Sequence, residues 1–384
     1  MRVLFALSGL HRVERGAEIA FTQIARNLAA MGDEVTLIGS GSPRPDSGYR
    51  FIRVPVVRRE RFERFPRFPA FRTETAWEDA SFMPGLMKAY RPADHDITLT
   101  CAYPFTNWAL RRPTVGGRRP PHVFVTQNGD WPARSDQAEF GFFGCEGLVC
   151  TNPDYHSANK DRYHATLIPN GVDLSRFAPG QPQREQFGLP SGVPIVLMVS
   201  AMIESKFIDV GIDAVSRLPG AHLVVAGDGP LRDTLHAQAK ALMPGRFHTL
   251  TTTADQMPAL YRSADAFLHL SRDESFGNVF VEAMACGIPT VAWDLERTRW
   301  ITGDTAMLVA DGDRPALIDA LSAAIGRGDP DPGITAHADQ YSWSSIAKQY
   351  RLFLTDVVER HQSFSLRTRS RSDHEQRGSN GAQI

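Results

Sequence analysis

The stretch Asp273-Glu274-Ser275-Phe276-Gly277-Asn278-Val279-Phe280-Val281-Glu282-Ala283-Met284-Ala285-Cys286-Gly287-Ile288-Pro289-Thr290 sets two carboxylates eight residues apart across a glycine turn and a helix start. Upstream, Ala266-Phe267-Leu268-His269-Leu270 reads as a short buried strand. Downstream, Asn278 to Cys286 is an apolar helical run closed by Gly287 and stopped by Pro289. Glu274 is therefore expected in a loop and Glu282 about one turn into a helix. Backbone N–H groups of the intervening loop, reinforced by the helix dipole, suit an anion, and carboxylates accept hydrogen bonds from diols. A nucleoside diphosphate sugar, with hydroxyls at both ends and phosphate in the middle, has the matching shape. Two further readings of the pair stay open on the residues alone: the two carboxyls of a glycosidase, and solvated acids near a helix start.

Outward from this stretch, strand-like runs alternate with helical periods almost throughout, which predicts parallel sheets covered by helices. Val3 to Leu7, Val35 to Ile38, Ile97 to Leu99, Val123 to Thr126 and Gly147 to Cys150 are strand candidates in the first half. A stretch rich in Pro, Gly and Asn, Pro169 to Pro179, precedes a second series at Ile195 to Val199, Leu223 to Ala226, Ala266 to Leu270, Thr290 to Trp293 and Met307 to Val309. Two Rossmann-like domains follow, 1–175 and 176–342, with ligand expected at the carboxyl ends of the strands. Residues 343–362 form an amphipathic helix through Ile346, Ala347, Tyr350, Phe353, Leu354, Val357 and Val358. Residues 363–384, polar and without apolar periodicity, read as a disordered tail.

Glu-x7-Glu with Phe-Gly after the first acid, followed by Glu282-Ala283-Met284-Ala285-Cys286-Gly287-Ile288-Pro289, resembles the donor-site signature of the retaining GT-B glycosyltransferases of family GT4, glycosyltransferase group 1. Ile168-Pro169-Asn170-Gly171-Val172-Asp173 with Arg176-Phe177, Gly227-Asp228-Gly229-Pro230-Leu231 and Arg15-Gly16-Ala17-Glu18 are similar to further family positions, in family order. The resemblance implies an α/β GT-B fold, two Rossmann-like parallel-sheet domains facing a central cleft, with the last helix crossing back onto the first domain. It also implies retention, with Glu282 on the ribose hydroxyls, Glu274 on the sugar hydroxyls, and Ser275, Phe276, Gly277 and Asn278 offering mostly backbone to the donor. Neither metal nor cofactor is expected, the nucleotide sugar being the substrate.

Lys206, between a buried strand and a helix, is the candidate cation for the departing diphosphate, a surface lysine being the plain alternative. Many family members carry Arg where Ala201 stands, so a second cation is sought among Arg12, Arg15 and Arg299. Gly16 precedes a helix and lets backbone approach a phosphate or acceptor, or is a simple turn glycine. Gly227 and Gly229 follow a strand and open a helix, a weak signal alone. Asn128 stands where the family commonly has His; it is placed at the reaction centre without a proton-transfer role, because a carboxamide is no base at neutral pH. Asp130 is either an acceptor contact or a turn aspartate, and His156 and His164 are read as structural.

The chain of 384 residues has 42 Lys plus Arg against 43 Asp plus Glu, a net −1, which gives no electrostatic reason to expect nucleic acid. Cys101, Cys145, Cys150 and Cys286 show no CxxC or metal spacing, and a reducing cytoplasm is the simpler expectation. The opening Met1 to Leu7 reads as a strand, not a signal peptide, and no apolar run approaches the ~20 residues of a membrane span. Arg53 to Arg72 holds seven arginines among Phe62, Phe65, Phe68 and Phe71. Peripheral contact with an anionic membrane at the inner face, a lipid-phosphate acceptor, single-stranded nucleic acid and a solvated loop all fit that composition, nucleic acid being the one that the net charge gives no reason to expect.

The resulting expectation is a glycosyltransferase moving a sugar from a nucleotide sugar to an acceptor hydroxyl. The alternatives are an epimerase or phosphorylase on the same pair of domains, or a nucleotide-sugar or glycan binding protein without turnover. An NAD-dependent oxidoreductase is disfavoured because Ser8-Gly9-Leu10-His11-Arg12 lacks the Gly-rich fingerprint.

Overall fold

The computed structural model describes residues 1–114, 119–135, 141–328 and 331–380. The chain divides into two compact units, Met1–Ile168 with Ile346–Ile384, and Pro169–Ser345.

The first unit runs β1 (Arg2–Ala6), α1 (Gly16–Ala30), β2 (Glu34–Gly39), β3 (Arg50–Arg53), α2 (Glu74–Ala89), β4 (Ile97–Thr100), α3 (Phe105–Leu110), β5 (His122–Val125), α4 (Trp131–Arg134), β6 (Gly147–Cys150), α5 (Pro153–Asn159) and β7 (Ala165–Leu167). Its seven strands are parallel, in the order β3-β2-β1-β4-β5-β6-β7. Val3, Leu4, Phe5 and Ala6 are all fully buried, which is why β1 reads as an unbroken apolar run: a central strand covered on both faces has no side to give to polar residues. In α1, Ala17, Ala20, Phe21, Ile24, Ala25 and Leu28 are buried at helical spacing, and Phe21 meets Phe5 edge-on at 5.2 Å.

The arginine-rich stretch is folded rather than loose. Phe62, Phe65, Phe68 and Phe71 gather around Trp77 of α2, with ring centroids 5.8, 5.2, 5.7 and 4.1 Å away. Phe65 and Phe68 nonetheless keep 46% and 44% of their surface in solvent, and Arg58, Arg61 and Arg64 are exposed.

The second unit continues with β8 (Ile195–Val199), α6 (Ile208–Ser216), β9 (His222–Ala226), α7 (Arg232–Leu242), β10 (Phe247–Leu250), α8 (Met257–Arg262), β11 (Ala266–His269), α9 (Asn278–Ala285), β12 (Thr290–Trp293), α10 (Glu296–Thr302), β13 (Met307–Val309), α11 (Arg314–Ile325) and α12 (Pro332–Ala338). Six parallel strands order as β10-β9-β8-β11-β12-β13. Alternate residues serve opposite layers: Ile195, Leu197 and Phe267 join one core with α9, whereas Val196, Met198, Ala266 and Leu268 join another with α6 and α11.

The last helix, α13 (Trp343–Asn380), packs its Phe353 and Val357 over Gly147, where a Cβ would lie 2.7 Å from Val357 Cγ2. It runs past the expected end at 362, and the disordered tail expected from 363 differs from the structure as far as Asn380. No Gly or Pro interrupts Ser363 to Arg377, so the backbone has no helix breaker there; residues 381–384 lie outside the described set. None of the four cysteines is disulfide-bonded, and Cys101, Cys150 and Cys286 are buried. Among the described residues no helix is long and apolar enough to cross a membrane.

Candidate functional site

In an open parallel sheet, ligands bind where strand order reverses, because the loops leaving the two central strands diverge there. In the second unit that point lies between β8 and β11. The loop after β8 carries Lys206 and the loop after β11 carries Glu274. Lys206 Nζ donates to Glu274 Oε1 and, at 3.1 Å, to Ser271 Oγ. The residue following Lys206, Phe207, takes a left-handed φ of +51 and lies under the Arg272 guanidinium at 4.6 Å, so the lysine leaves a fixed turn.

Beneath the pair sits His269, 5% exposed, with Nε2 3.4 Å from Glu274 Oε1 and without a hydrogen-bond partner. Burial alone would raise the Glu274 pKa; His269 and Lys206 outweigh it and hold the carboxyl at about 2.

Glu282 lies within α9, as the spacing predicts, and its Oε2 accepts from Tyr261 Oη at 2.8 Å. Here burial wins. The carboxyl is pushed up to about 7, with Tyr261 and Arg176 pulling only part of the way back. The two acids of the motif thus have opposite characters, one a permanent anion and one poised near neutrality. Gly277 caps α9 with φ +100, and a Cβ there would meet Phe280 Cδ2 at 2.9 Å; the helix start has no side-chain cap of its own. Asn278 Oδ1 accepts from Asn170 Nδ2 at 3.0 Å, Ser275 is half-buried, and the Phe276 ring is 2% exposed in the core, leaving backbone as what Phe276 can present.

Gly227 and Gly229 have a packing reason. Their Cβ atoms would stand 2.0 Å from Ser200 O and 2.6 Å from Met202 O, and Met202 N donates to Asp228 O at 2.9 Å, so the loops after β8 and β9 touch backbone to backbone. The following helix starts at Arg232, with Leu231 as its cap.

In the first unit, Gly16 is the exposed first residue of α1. Asn128 is exposed just beyond β5, its Nδ2 3.8 Å from Cys101 Sγ. Asp130 turns inward: it is 2% exposed, accepts from Asn159 Nδ2 at 2.9 Å, and lies 3.6 Å from Arg134 Nε. Of the candidate second cations, Arg12 is committed to buried Glu78 at 2.5 Å and Arg299 to Asp294 at 2.5 Å, while Arg15 is half-buried at the α1 start. His164 Nε2 pairs with Asp356 at 2.5 Å. Among the described residues no group of three or more His, Cys, Asp or Glu is placed to hold a metal ion.

Sequence reasoning missed Tyr261, Ser271 and His269. Only His269 leaves a signal, as the lone polar residue in the run Ala266 to Leu270.

Residues 181–328 match the model of the glycosyl transferases group 1, and residues 15–176 that of glycosyltransferase family 4. A D-inositol 3-phosphate glycosyltransferase of Mycolicibacterium smegmatis is 32% identical over 53% of this chain and 51% of its own length. The lipopolysaccharide core biosynthesis glycosyltransferase LpsE of Rhizobium meliloti is 28% identical over 52% and 59%. The chain thus spans about half the length of the curated relatives it matches. In fold it is similar to a sucrose-phosphate synthase from Thermosynechococcus elongatus, at TM-score 0.71, 20% identity and coverage of 95% and 99%. It is also similar to Anabaena HepE in complex with UDP and glucose, at TM-score 0.69, 18% identity and coverage of 93% and 100%.

Proposed function

This chain belongs to glycosyltransferase family 4, the group 1 glycosyl transferases, and on that premise we propose that it moves a sugar, with retention, from a nucleoside diphosphate sugar to an acceptor hydroxyl. The observation that carries the reading is the Lys206–Glu274 pair astride the strand-order reversal, with Glu282 following on α9. Glu274, ionised at any working pH, accepts from the sugar hydroxyls. Glu282 accepts from the ribose. The α9 start and the Lys206 ammonium face the diphosphate and stabilise the negative charge that grows on it as the glycosidic bond breaks. Fixing acceptor oxygen and anomeric carbon together supplies the rest of the rate. Asn128 takes no proton, so the acceptor proton passes to the departing phosphate oxygen. Lys206 and the α9 start do the work of a divalent ion.

The reading is tested with radiolabelled UDP, GDP and ADP sugars, UDP first because the HepE complex of this fold contains it. Turnover is expected with at least one donor, and it persists in EDTA. Loss in EDTA with recovery on Mg²⁺ or Mn²⁺ would contradict the cation assignment. Saturable nucleotide binding without product would make this a binding protein.

The exposed Arg58, Arg61 and Arg64 beside exposed Phe65 and Phe68 support peripheral contact of the first unit with an anionic membrane or a lipid-phosphate acceptor. Each arginine contributes about 1 kcal/mol near such a surface, less as salt rises. Changing all three to Ser is expected to weaken binding to phosphatidylserine vesicles by roughly 100-fold at low salt. Equal vesicle binding by variant and parent would leave the stretch as a solvated surface.

A further inference from the structure

β11 is apolar at Ala266, Phe267 and Leu268 and closes on His269, a polar ring that is 5% exposed. Burying an imidazole costs free energy unless its N–H finds an acceptor, so a histidine at this place needs a reason that a leucine would not. Strand alternation puts His269 on the same side as Phe267, towards α9, and the ring is fixed there. It meets Phe280 of α9 edge-on at 4.7 Å and lies nearly parallel to Phe267 at 6.1 Å. Phe280, 2% exposed, is itself crowded by the turn before it, where a Cβ on Gly277 would stand 2.9 Å from Cδ2. Two rings set the plane of the imidazole, so packing decides where Nε2 points.

That direction is towards Glu274. Nε2 is buried without a hydrogen-bond partner, and Glu274 Oε1 stands 3.4 Å away. Hydrogen bonds of a reaction centre are often long in the ligand-free protein and close once substrate binds. Lys206 Nζ meets the same oxygen from the loop after β8, so Oε1 is addressed from both sides of the strand-order reversal. The two groups are not equivalent. An ammonium has three N–H donors, and Lys206 already divides them between Glu274 and Ser271 before any diphosphate arrives. His269 lies in the core under the loop, and its Nε2 has no second acceptor to serve. Burial raises the Glu274 pKa, and among the groups that oppose burial His269 stands ahead of Lys206. A carboxylate offers about four acceptor positions, so donors of the protein and hydroxyls of a sugar do not exclude one another.

We propose, resting on the reading of the chain as a transferase in which Glu274 binds the donor sugar, that His269 is the positioning residue of that contact: its Nε2–H closes on Glu274 Oε1 when the nucleotide sugar binds and keeps the carboxylate aimed at the sugar while Lys206 serves the diphosphate. His269 itself touches neither sugar nor phosphate.

Two variants separate a hydrogen-bond donor from a filler of the core. His269→Phe keeps a ring against Phe280 and removes the N–H, whereas His269→Gln loses the ring and carries an N–H to about the reach of Nε2. With the nucleotide sugar that the donor screen selects, His269→Phe is expected to lower kcat for release of the labelled sugar at least about tenfold, as loss of a hydrogen bond to a carboxylate predicts. The matching bare nucleoside diphosphate should bind within about twofold of the parent by calorimetry, because it has no sugar for Glu274 to hold. His269→Gln restores most of kcat. A histidine that only fills the core gives the reverse order, Phe active and Gln impaired, and that order overturns the proposal. So does an equal fall of kcat and nucleoside diphosphate affinity in His269→Phe, since the ring then serves the fold. Two-bond ¹H–¹⁵N spectra of the parent with the nucleotide sugar bound give an independent reading, His269 being identified by its absence in His269→Gln. Its Nε2 is expected to carry the proton, and a bare Nε2 overturns the proposal whatever the kinetics. Turnover by the parent with any of these contrary results sinks the role of His269 alone, whereas no release from any UDP, GDP or ADP sugar sinks the transferase reading and the role with it.

Discussion

Replacing Lys206 by alanine is expected to lower kcat by about 10²–10³-fold, the usual loss when one preorganised donor is removed from a developing negative charge. The ammonium is held in place before the donor arrives, by Glu274 and by Ser271 Oγ at 3.1 Å, so no reorganisation is needed as the bond breaks. The loss therefore falls on kcat rather than on KM. Lys206→Arg tests whether charge alone suffices, and a partial recovery of kcat is expected because a guanidinium keeps the charge but not the compact geometry. A second signature is independent of turnover. Glu274 titrates at about 2, below the ordinary carboxylate value, so its contacts stabilise the fold above pH ~4.5 and lose that effect as pH falls towards about 2. Without Lys206 the carboxyl titrates higher, and the acid limb of the stability curve moves towards neutral pH. Unchanged kcat in Lys206→Ala would remove the lysine from the chemistry.

The second large effect concerns Glu282. Each lost hydrogen bond to a charged group is worth roughly 1.5–3 kcal/mol, so Glu282→Gln is expected to weaken binding of the nucleotide sugar that the donor screen selects roughly 10- to 150-fold at pH 8. Affinity should also depend on pH in a defined direction. The carboxyl is held near 7 by burial, and ribose hydroxyls donate best to its ionised form, so affinity rises as pH climbs from 6 to 8 in the parent and stays flat in Glu282→Gln. The diphosphate of a sugar nucleotide does not titrate in that range, and calorimetry at three pH values reads the slope directly. The stability effect runs the other way. A carboxyl whose folded pKa exceeds its unfolded value penalises the folded state as pH rises through about 7, so ligand-free Glu282→Gln should melt higher than the parent at pH 8. An equal slope in both proteins would take the ribose away from Glu282.

What the sequence discloses follows from covering. Strands with both faces buried, such as Val3 to Ala6 or Ile195 to Met198, announce themselves as apolar runs. The three strands that went unread, Arg50–Arg53, Ala165–Leu167 and Phe247–Leu250, are all edge strands with half-buried residues, where nothing demands a continuous apolar stretch. The acid pair is legible because both members and their turn lie in one segment. The contact of Lys206 with Glu274 joins residues 68 apart, and nothing local to either residue announces it. Tyr261 against Glu282 gave no sign, since an aromatic at a helix end has the same pattern whether its hydroxyl meets a carboxylate or not. Asp130 is the converse case: a turn aspartate and a ligand-facing one look alike in sequence, and only its contact with Asn159 shows it pointing inward.

The four unpaired thiols have a practical side. Burial pushes Cys150 and Cys286 up to about 12 and raises Cys101 and Cys145 well above the ordinary thiol value, so at neutral pH these thiols stay protonated. With Cys101, Cys150 and Cys286 buried and Cys145 half-buried, the native thiols are poor targets for maleimide. A single cysteine introduced at an exposed position such as Arg64 becomes the reactive handle for a fluorophore or spin label, with all four native cysteines retained.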